Sequence, residues 1–413
     1  MHRPLLLPLA TAAIAGFAAL AFAQPVGPAA SRCDLAAGHP SRTDPDCAGR
    51  WFDRHLKLND VLAVGSHNSY KQRIPANELA MIASKDAEGA KGLDYAHPSL
   101  TTELNAGARQ LELDVYYDPQ GGRYLTPLVP RLAKADLGEA WKAAMARPGF
   151  KTFHMADVDV RSSCASFRAC LAEIRAWSDA HPRHIPIIIL INAKDGDGIA
   201  GGVKPLAFDA LDAEVRAELA AKLITPDQVQ GRYPTLREAV LHDNWPTLGE
   251  ARGHILFALD ESPEKVALYR GGRKALEGRT MFVNTPDESS PAAAYFTLND
   301  PAKQADRIKH AVAQGFLVRT RADTDTREAR ANNVTPRDTA LAGGAQYVST
   351  DYLWPDPRFP GGYRVNLPGA AAVCNPVRMG TRCAGAPIEI QAPPGDQPDW
   401  NAAGDALARS HAR

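Results

Sequence analysis

Val61-Leu-Ala-Val-Gly-Ser-His-Asn-Ser-Tyr70 runs four apolar residues into Gly65, Ser66, His67 and Asn68. A short apolar run closed by turn residues reads as a strand buried on both faces. Such a strand has no room inside for an imidazole and a carboxamide, so His67 and Asn68 belong at its carboxyl end. In parallel α/β folds that end is the mouth where ligands bind.

Seven further segments carry a strand signal: RQLELDVYY at 109–117, KTFHMA at 151–156, IPIIILINA at 185–193, HILFAL at 254–259, TMFVNT at 280–285, FLVRTRA at 316–322 and AQYVST at 345–350. Between them lie segments such as SFRACLAEIRAWSDAH and KPLAFDALDAEVRAELAAKL, with apolar residues at three- and four-residue spacing. Eight strands alternating with helices over roughly 300 residues predict an α/β (β/α)8 TIM-like barrel over residues 56–355. Residues 24–55 and 356–413, rich in Pro, Gly, Ala and short polar residues, read as extensions, and the tail from 392 carries no strand pattern and is expected to be mobile.

Lys plus Arg equal Asp plus Glu at 47 each, with no basic block. This excludes the basic footprint of a nucleic-acid binder and a polybasic membrane anchor. Residues 1–23 combine an early Arg3, an apolar run and Ala21-Phe22-Ala23. They read as a secretory signal peptide, which implies a secreted or periplasmic protein with no transmembrane segment in the mature chain. The six cysteines fall into three close pairs, Cys33 with Cys47, Cys164 with Cys170 and Cys374 with Cys383. Local disulfides suit an exported protein, with connectivity inferred from proximity alone; the competing zinc reading lacks knuckle spacing and a completing histidine.

Alternation along the second strand sends Glu112 and Asp114 to one face. Two carboxylates pointing into a barrel call for a cation, and an oxygen-liganded hard metal would suit them, with Asn68 adding a neutral carbonyl oxygen. Solvated acids at a strand edge are the alternative. His154 ends the third candidate strand as His67 ends the first; either could be a structural histidine. Together, flanking an acid-bound cation, they could cleave a phosphodiester, one removing a proton from the attacking hydroxyl and the other protonating the leaving oxygen.

GSHNSY, LELDVYYD, FH, IPIIILINAKD, WPTLGEARGHILFALD and VRTRADTDTREARANN together resemble the calcium-dependent phosphoinositide-specific phospholipase C-like proteins of bacteria and fungi, over roughly residues 50 to 355. The resemblance implies a phospholipase C acting on phosphatidylinositol-type lipids at a membrane surface, releasing diacylglycerol and a cyclic inositol phosphate. It assigns His67 to the phosphate and cyclisation, and His154 to general-acid work on the leaving diacylglycerol oxygen. Asn68, Glu112 and Asp114 match calcium ligands. The loop before His154 is longer than in the eukaryotic enzymes, and Asn192 stands where the family pattern has a glutamate ligand. That removes one formal charge from the Ca2+ site, and charge count is a main control on affinity. Asp195 lies close enough to compensate or to cap the next segment instead.

Lys194 shares a strand face with Asn192, and Arg319 shares one with Arg321. These three are candidates for holding a phosphate or head group, unless they pair with barrel acids such as Asp323. Asp351 and Tyr352, at the last strand end, could add polar and stacking contacts. Two other functions stay open: a glycerophosphodiester phosphodiesterase, whose usual His-Arg-Gly turn is missing, and a barrel that binds a phospholipid head group or sugar phosphate without turnover.

Overall fold

The computed structural model of the chain describes residues 33–194 and 205–391. The leader at 1–23, Asp195 and the tail from 392 lie outside the described residues. The strands, in chain order, are β1 (Val61–Ser66), β2 (Gln110–Asp118), β3 (Gly149–Lys151), β4 (Ile187–Lys194), β5 (Ile255–Leu259), β6 (Met281–Val283), β7 (Tyr295–Thr297), β8 (Leu317–Arg321), β9 (Tyr347–Thr350), β10 (Ala370–Cys374) and β11 (Pro387–Ile390). Eight of them run side by side in the order β6-β5-β4-β2-β1-β9-β8-β7. A parallel bridge between Asn284 and Tyr295, with the Asn284 side chain accepting from Thr297 N at 3.0 Å, brings the two ends together. The result is the nearly closed α/β barrel that the alternation predicts.

The apolar strands sit where their composition requires. Ile187 through Ile191 in β4 and all of β5 are sealed from solvent, because one face fills the barrel and the other packs under helices such as Phe167–Ala180. Gly65 lets β1 and β2 close: its partner across the ladder is Gln110, and a Cβ at Gly65 would run into the Gln110 carbonyl.

The expected count of eight holds, but its membership changes. The segment 151–156 is not a barrel strand. Only Lys151 is extended, as the end of β3, which pairs antiparallel with the far end of β2 (Tyr116 opposite Lys151). His154 lies in the bend beyond it. The missing barrel strand is β7, three residues long between Pro291-Ala-Ala-Ala and Leu298-Asn-Asp, too short to show a period.

All three close cysteine pairs are bonded, with Cα separations of 5.3 Å for Cys33–Cys47, 5.2 Å for Cys164–Cys170 and 5.8 Å for Cys374–Cys383, which removes the zinc reading. The last bridge closes the β10–β11 hairpin, whose first strand pairs antiparallel with residues 61–63 of β1. From β11, Glu389 accepts from Arg109 Nε at 3.1 Å and from Ile185 N at 2.9 Å. The hairpin therefore seals the amino-terminal end of β1, β2 and β4, opposite the mouth.

Arg109 is buried, so Glu389 neutralises a charge that water cannot reach. Burial opposes ionisation of Glu389, yet Arg109 holds its carboxyl below the ordinary range. Glu389→Ala should lower unfolding stability by about 3 kcal/mol, since it strands the partner charge. Urea unfolding checks this. The parent's advantage should be full above the unfolded glutamate pKa of about 4.3 and shrink as pH falls through the lower folded value.

Candidate active site

β1 delivers His67 to the mouth, where its N–H bonds the Thr350 carbonyl of β9 at 3.0 Å. Asn68 then turns the chain, with φ of 50°, a left-handed conformation that asparagine tolerates better than most residues. Ser69 ties the turn to β2 through both its N–H (3.0 Å to Glu112 O) and its hydroxyl (2.9 Å from Glu112 N). His67 Nδ1 lies 2.8 Å from Asp351 Oδ1 and Nε2 lies 3.7 Å from Glu112 Oε1. An ionised Asp351 can only accept, so Nδ1 carries the proton and Nε2 is the basic nitrogen. Burial, then the neighbouring Arg321 charge, push the His67 pKa below its ordinary value, which keeps the ring neutral.

His154 is positioned by a small loop. Met155 and Asp159 pair across it, with Asp157 at a φ of 66°, and the Tyr116 hydroxyl donates to the His154 carbonyl at 3.0 Å. This returns Asp159 to within 2.9 Å of His154 Nδ1. Burial opposes charge on Asp159, but Lys71, whose buried ammonium lies 3.3 Å away, and His154 hold its carboxyl low. Each histidine thus has a carboxylate on Nδ1 and one nitrogen left for chemistry.

Both histidines line one open cavity of about 1310 Å³, together with Arg321 and Asp351. Part of its lining is apolar. Leu128, Leu132 and Met155 stand there with 41%, 57% and 36% of their surface exposed, an unusual run for large apolar side chains in one place.

Beside this cavity, on the inward faces of β2, β4 and β8, lies a layer of paired charges, the floor of the barrel mouth. Glu112 accepts from Arg319 Nη2 at 2.6 Å and from Asn192 Nδ2 at 3.1 Å. Arg319 is buried and also donates to Asn299 Oδ1 at 2.7 Å, so it lies beneath the floor, whereas Arg321 reaches the cavity and pairs with Asp351 at 3.2 Å. Lys194 Nζ lies 3.0 Å from Asp114 Oδ2. Asn68 donates to the Tyr95 hydroxyl at 2.8 Å and accepts from Tyr70 at 3.3 Å.

A family model of calcium-dependent phosphoinositide phospholipase C matches residues 56–376. The chain belongs to that family, and its members are phosphodiesterases. Among solved structures it is similar to a calcium-dependent phosphatidylinositol-specific phospholipase C from Streptomyces antibioticus, at 20% identity, a TM-score of 0.45, and coverage of 72% of this chain and 95% of that one. It is also similar to a calcium-dependent phosphoinositol-specific phospholipase C from a Gram-negative Pseudomonas species, at 18% identity, a TM-score of 0.46, and coverage of 75% and 92%. A comparison with curated proteins returned no match.

The phosphoinositide phospholipase C family is calcium-dependent by name, and the four residues expected as ligands do gather here. Their bonding, however, does not suit a dication. Glu112 is already claimed on both oxygens, Asn192 turns its NH2 toward that carboxylate, and Lys194 faces Asp114. Among the described residues no three His, Cys, Asp or Glu side chains form a metal cage. Two like unit charges about 4 Å apart repel by about 4 kcal/mol at the effective dielectric of a protein site, and a dication doubles that. An ion placed between these carboxylates would meet that repulsion from Lys194 and Arg319 alike.

Sequence reasoning missed Asp159 and Tyr95 and left Asp351 in a minor role. Asp159 follows His154 by five residues, a spacing that means nothing until the loop closes; Asp351 is 284 residues from His67. By ¹⁵N NMR, His67 should be a neutral Nδ1–H tautomer at neutral pH and protonate only below its ordinary value of 6.5. Asp351→Asn removes a carboxylate that favours the charged ring, so protonation should move to still lower pH; protonation above 6.5 in the parent would contradict this reading.

Proposed function

We propose that the chain cleaves phosphatidylinositol-type lipids by attack of the inositol 2-hydroxyl on phosphorus. The supporting observation is the pair of histidines on one cavity, each with a carboxylate on Nδ1, in a member of this family. His67 Nε2, the unprotonated nitrogen of a ring that lines the cavity, takes the hydroxyl proton as the new O–P bond forms. His154, oriented by Asp159, gives a proton to the glycerol oxygen as the old P–O bond breaks. The products are a cyclic inositol phosphate and diacylglycerol. Arg321, fixed by Asp351 and lining the cavity, offers its guanidinium to the phosphate. No step is assigned to a metal, because the expected ligands Asn68, Glu112, Asp114 and Asn192 are engaged with one another's neighbours and with cations.

The apolar wall fits a substrate met at a membrane surface, where Leu128, Leu132 and Met155 can enter the acyl boundary while the head group enters the cavity. Export is part of the proposal: the three disulfides suit an oxidising compartment, and among the described residues no helix is long and apolar enough to cross a membrane. The mature amino terminus should be Gln24, as Edman sequencing of the exported protein would show.

His154→Ala should slow cleavage of diacyl substrates by about 10²- to 10⁴-fold. A nitrophenyl ester of inositol phosphate, whose leaving group needs no proton, should recover most of that loss, whereas His67→Ala should stay slow with both. Phosphorus NMR should show the cyclic product first. Linear product from the outset would favour water as nucleophile, as in a glycerophosphodiesterase.

Leu132→Glu should reduce turnover on lipid vesicles by about tenfold or more, the equivalent of the 1.5 kcal/mol or so lost when one leucine is no longer buried. Turnover of the soluble ester should be unchanged. An equal loss on both substrates would mean that the residue serves the cavity and not the lipid surface.

A further inference from the structure

The calcium dependence in the family's name and the bonding of this site disagree, and the disagreement centres on one side chain. β2 and β4 pair with Asp114 opposite Asn192 and Tyr116 opposite Lys194. Alternation puts Asn192 and Lys194 on the same face of β4, with Lys194 one step nearer the mouth. Its ammonium sits 3.0 Å from Asp114 Oδ2, with 33% of the lysine side chain exposed against 1% of the aspartate, so it covers the carboxylate from the solvent side. Among the described residues neither Asp114 oxygen has a well-aligned hydrogen-bond donor, and Lys194 is the cation paired with it.

Glu112 is balanced separately by Arg319. Arg319 is shared with Asp260, whose carboxylate lies 3.9 Å from its Nη1, whereas Asp114 has Lys194 to itself among the ion pairs of the described residues. The chain lacks a third carboxylate at Asn192 and carries a cation two residues further on.

We propose that the Lys194 ammonium is the resident cation of this site, standing where the strand carboxylates would otherwise recruit calcium, so that the chain works without the metal. A lysine is a compact point charge suited to phosphate. Anchored by buried Asp114 and one-third exposed at the carboxyl end of β4, beside the cavity and not in its lining, it supplies a fixed positive charge toward the negative charge that grows on the phosphoryl oxygens during cleavage, where a fixed cation acts without reorganisation. The catalytic half of this inference rests on the phosphodiesterase reading above; the cation-binding half does not.

The test uses the full mature chain, stripped of metal. Calorimetric titration with CaCl2 should show no binding at this site in the parent, and one bound calcium in the double variant Lys194→Ala with Asn192→Glu, which removes the cation and restores the carboxylate. Turnover of phosphatidylinositol vesicles should agree within about twofold in EGTA and in CaCl2, while Lys194→Ala should lose about 10²-fold in kcat and Lys194→Arg should keep part of the activity. Calcium binding by the parent that Asp114→Asn abolishes, or loss of turnover in EGTA, overturns the proposal. If no condition turns over phospholipid, the functional reading has failed, and the parent titration alone still decides whether Lys194 or calcium holds the site.

Discussion

Glu112 and Asp114, on the inward face of β2, constrain everything around them. Two carboxylates taken out of water must be balanced by opposite charge or lose their own, and the cost of leaving either unpaired is several kcal/mol. Here the balance is local and sorted: Arg319 from β8 serves Glu112, and Lys194 from β4 serves Asp114. The register of β2 against β4 and the closing of the barrel through β8 are what bring these partners within reach. Charge compensation and strand order are one constraint.

That layer also sets the histidines. Glu112 lies beneath His67 and tempers the effect of Arg321 on the ring, while Asp351 fixes the ring's tautomer from the opposite side. His154 belongs to a different mechanical unit, the 155–159 loop held by Tyr116 and by the buried Lys71–Asp159 pair. One histidine rises from the end of a barrel strand and the other hangs from a loop. A cavity lined by both histidines, Arg321, Asp351 and exposed apolar side chains follows from joining the two.

The opposite end of the barrel shows the same economy of charge. The β10–β11 hairpin, closed by Cys374–Cys383, pairs with β1 and sends Glu389 to the buried Arg109. The hairpin packs on the amino-terminal end of the barrel strands, and the cavity that holds both histidines opens at the other end.

Most of the barrel could be read from the sequence because β1, β2, β4, β5, β6, β8 and β9 are apolar runs bounded by turn residues, and burial on both faces demands that composition. Two elements could not. β7 is too short to carry a period, and 151–156 imitates a barrel strand although its ladder partner is the protruding end of β2. The residue types of the site, paired acids, two histidines and strand-end cations, were also legible, as was the missing carboxylate at Asn192. What the order of residues cannot specify is who faces whom. Lys194 on Asp114, Arg319 beneath the floor instead of at the head group, Asp351 on His67 and Asp159 on His154 all depend on register, barrel closure and loop geometry. Sequence determines which charges must be buried; only the tertiary structure decides how they are paired, because pairing is a matter of ångströms between strands far apart along the chain.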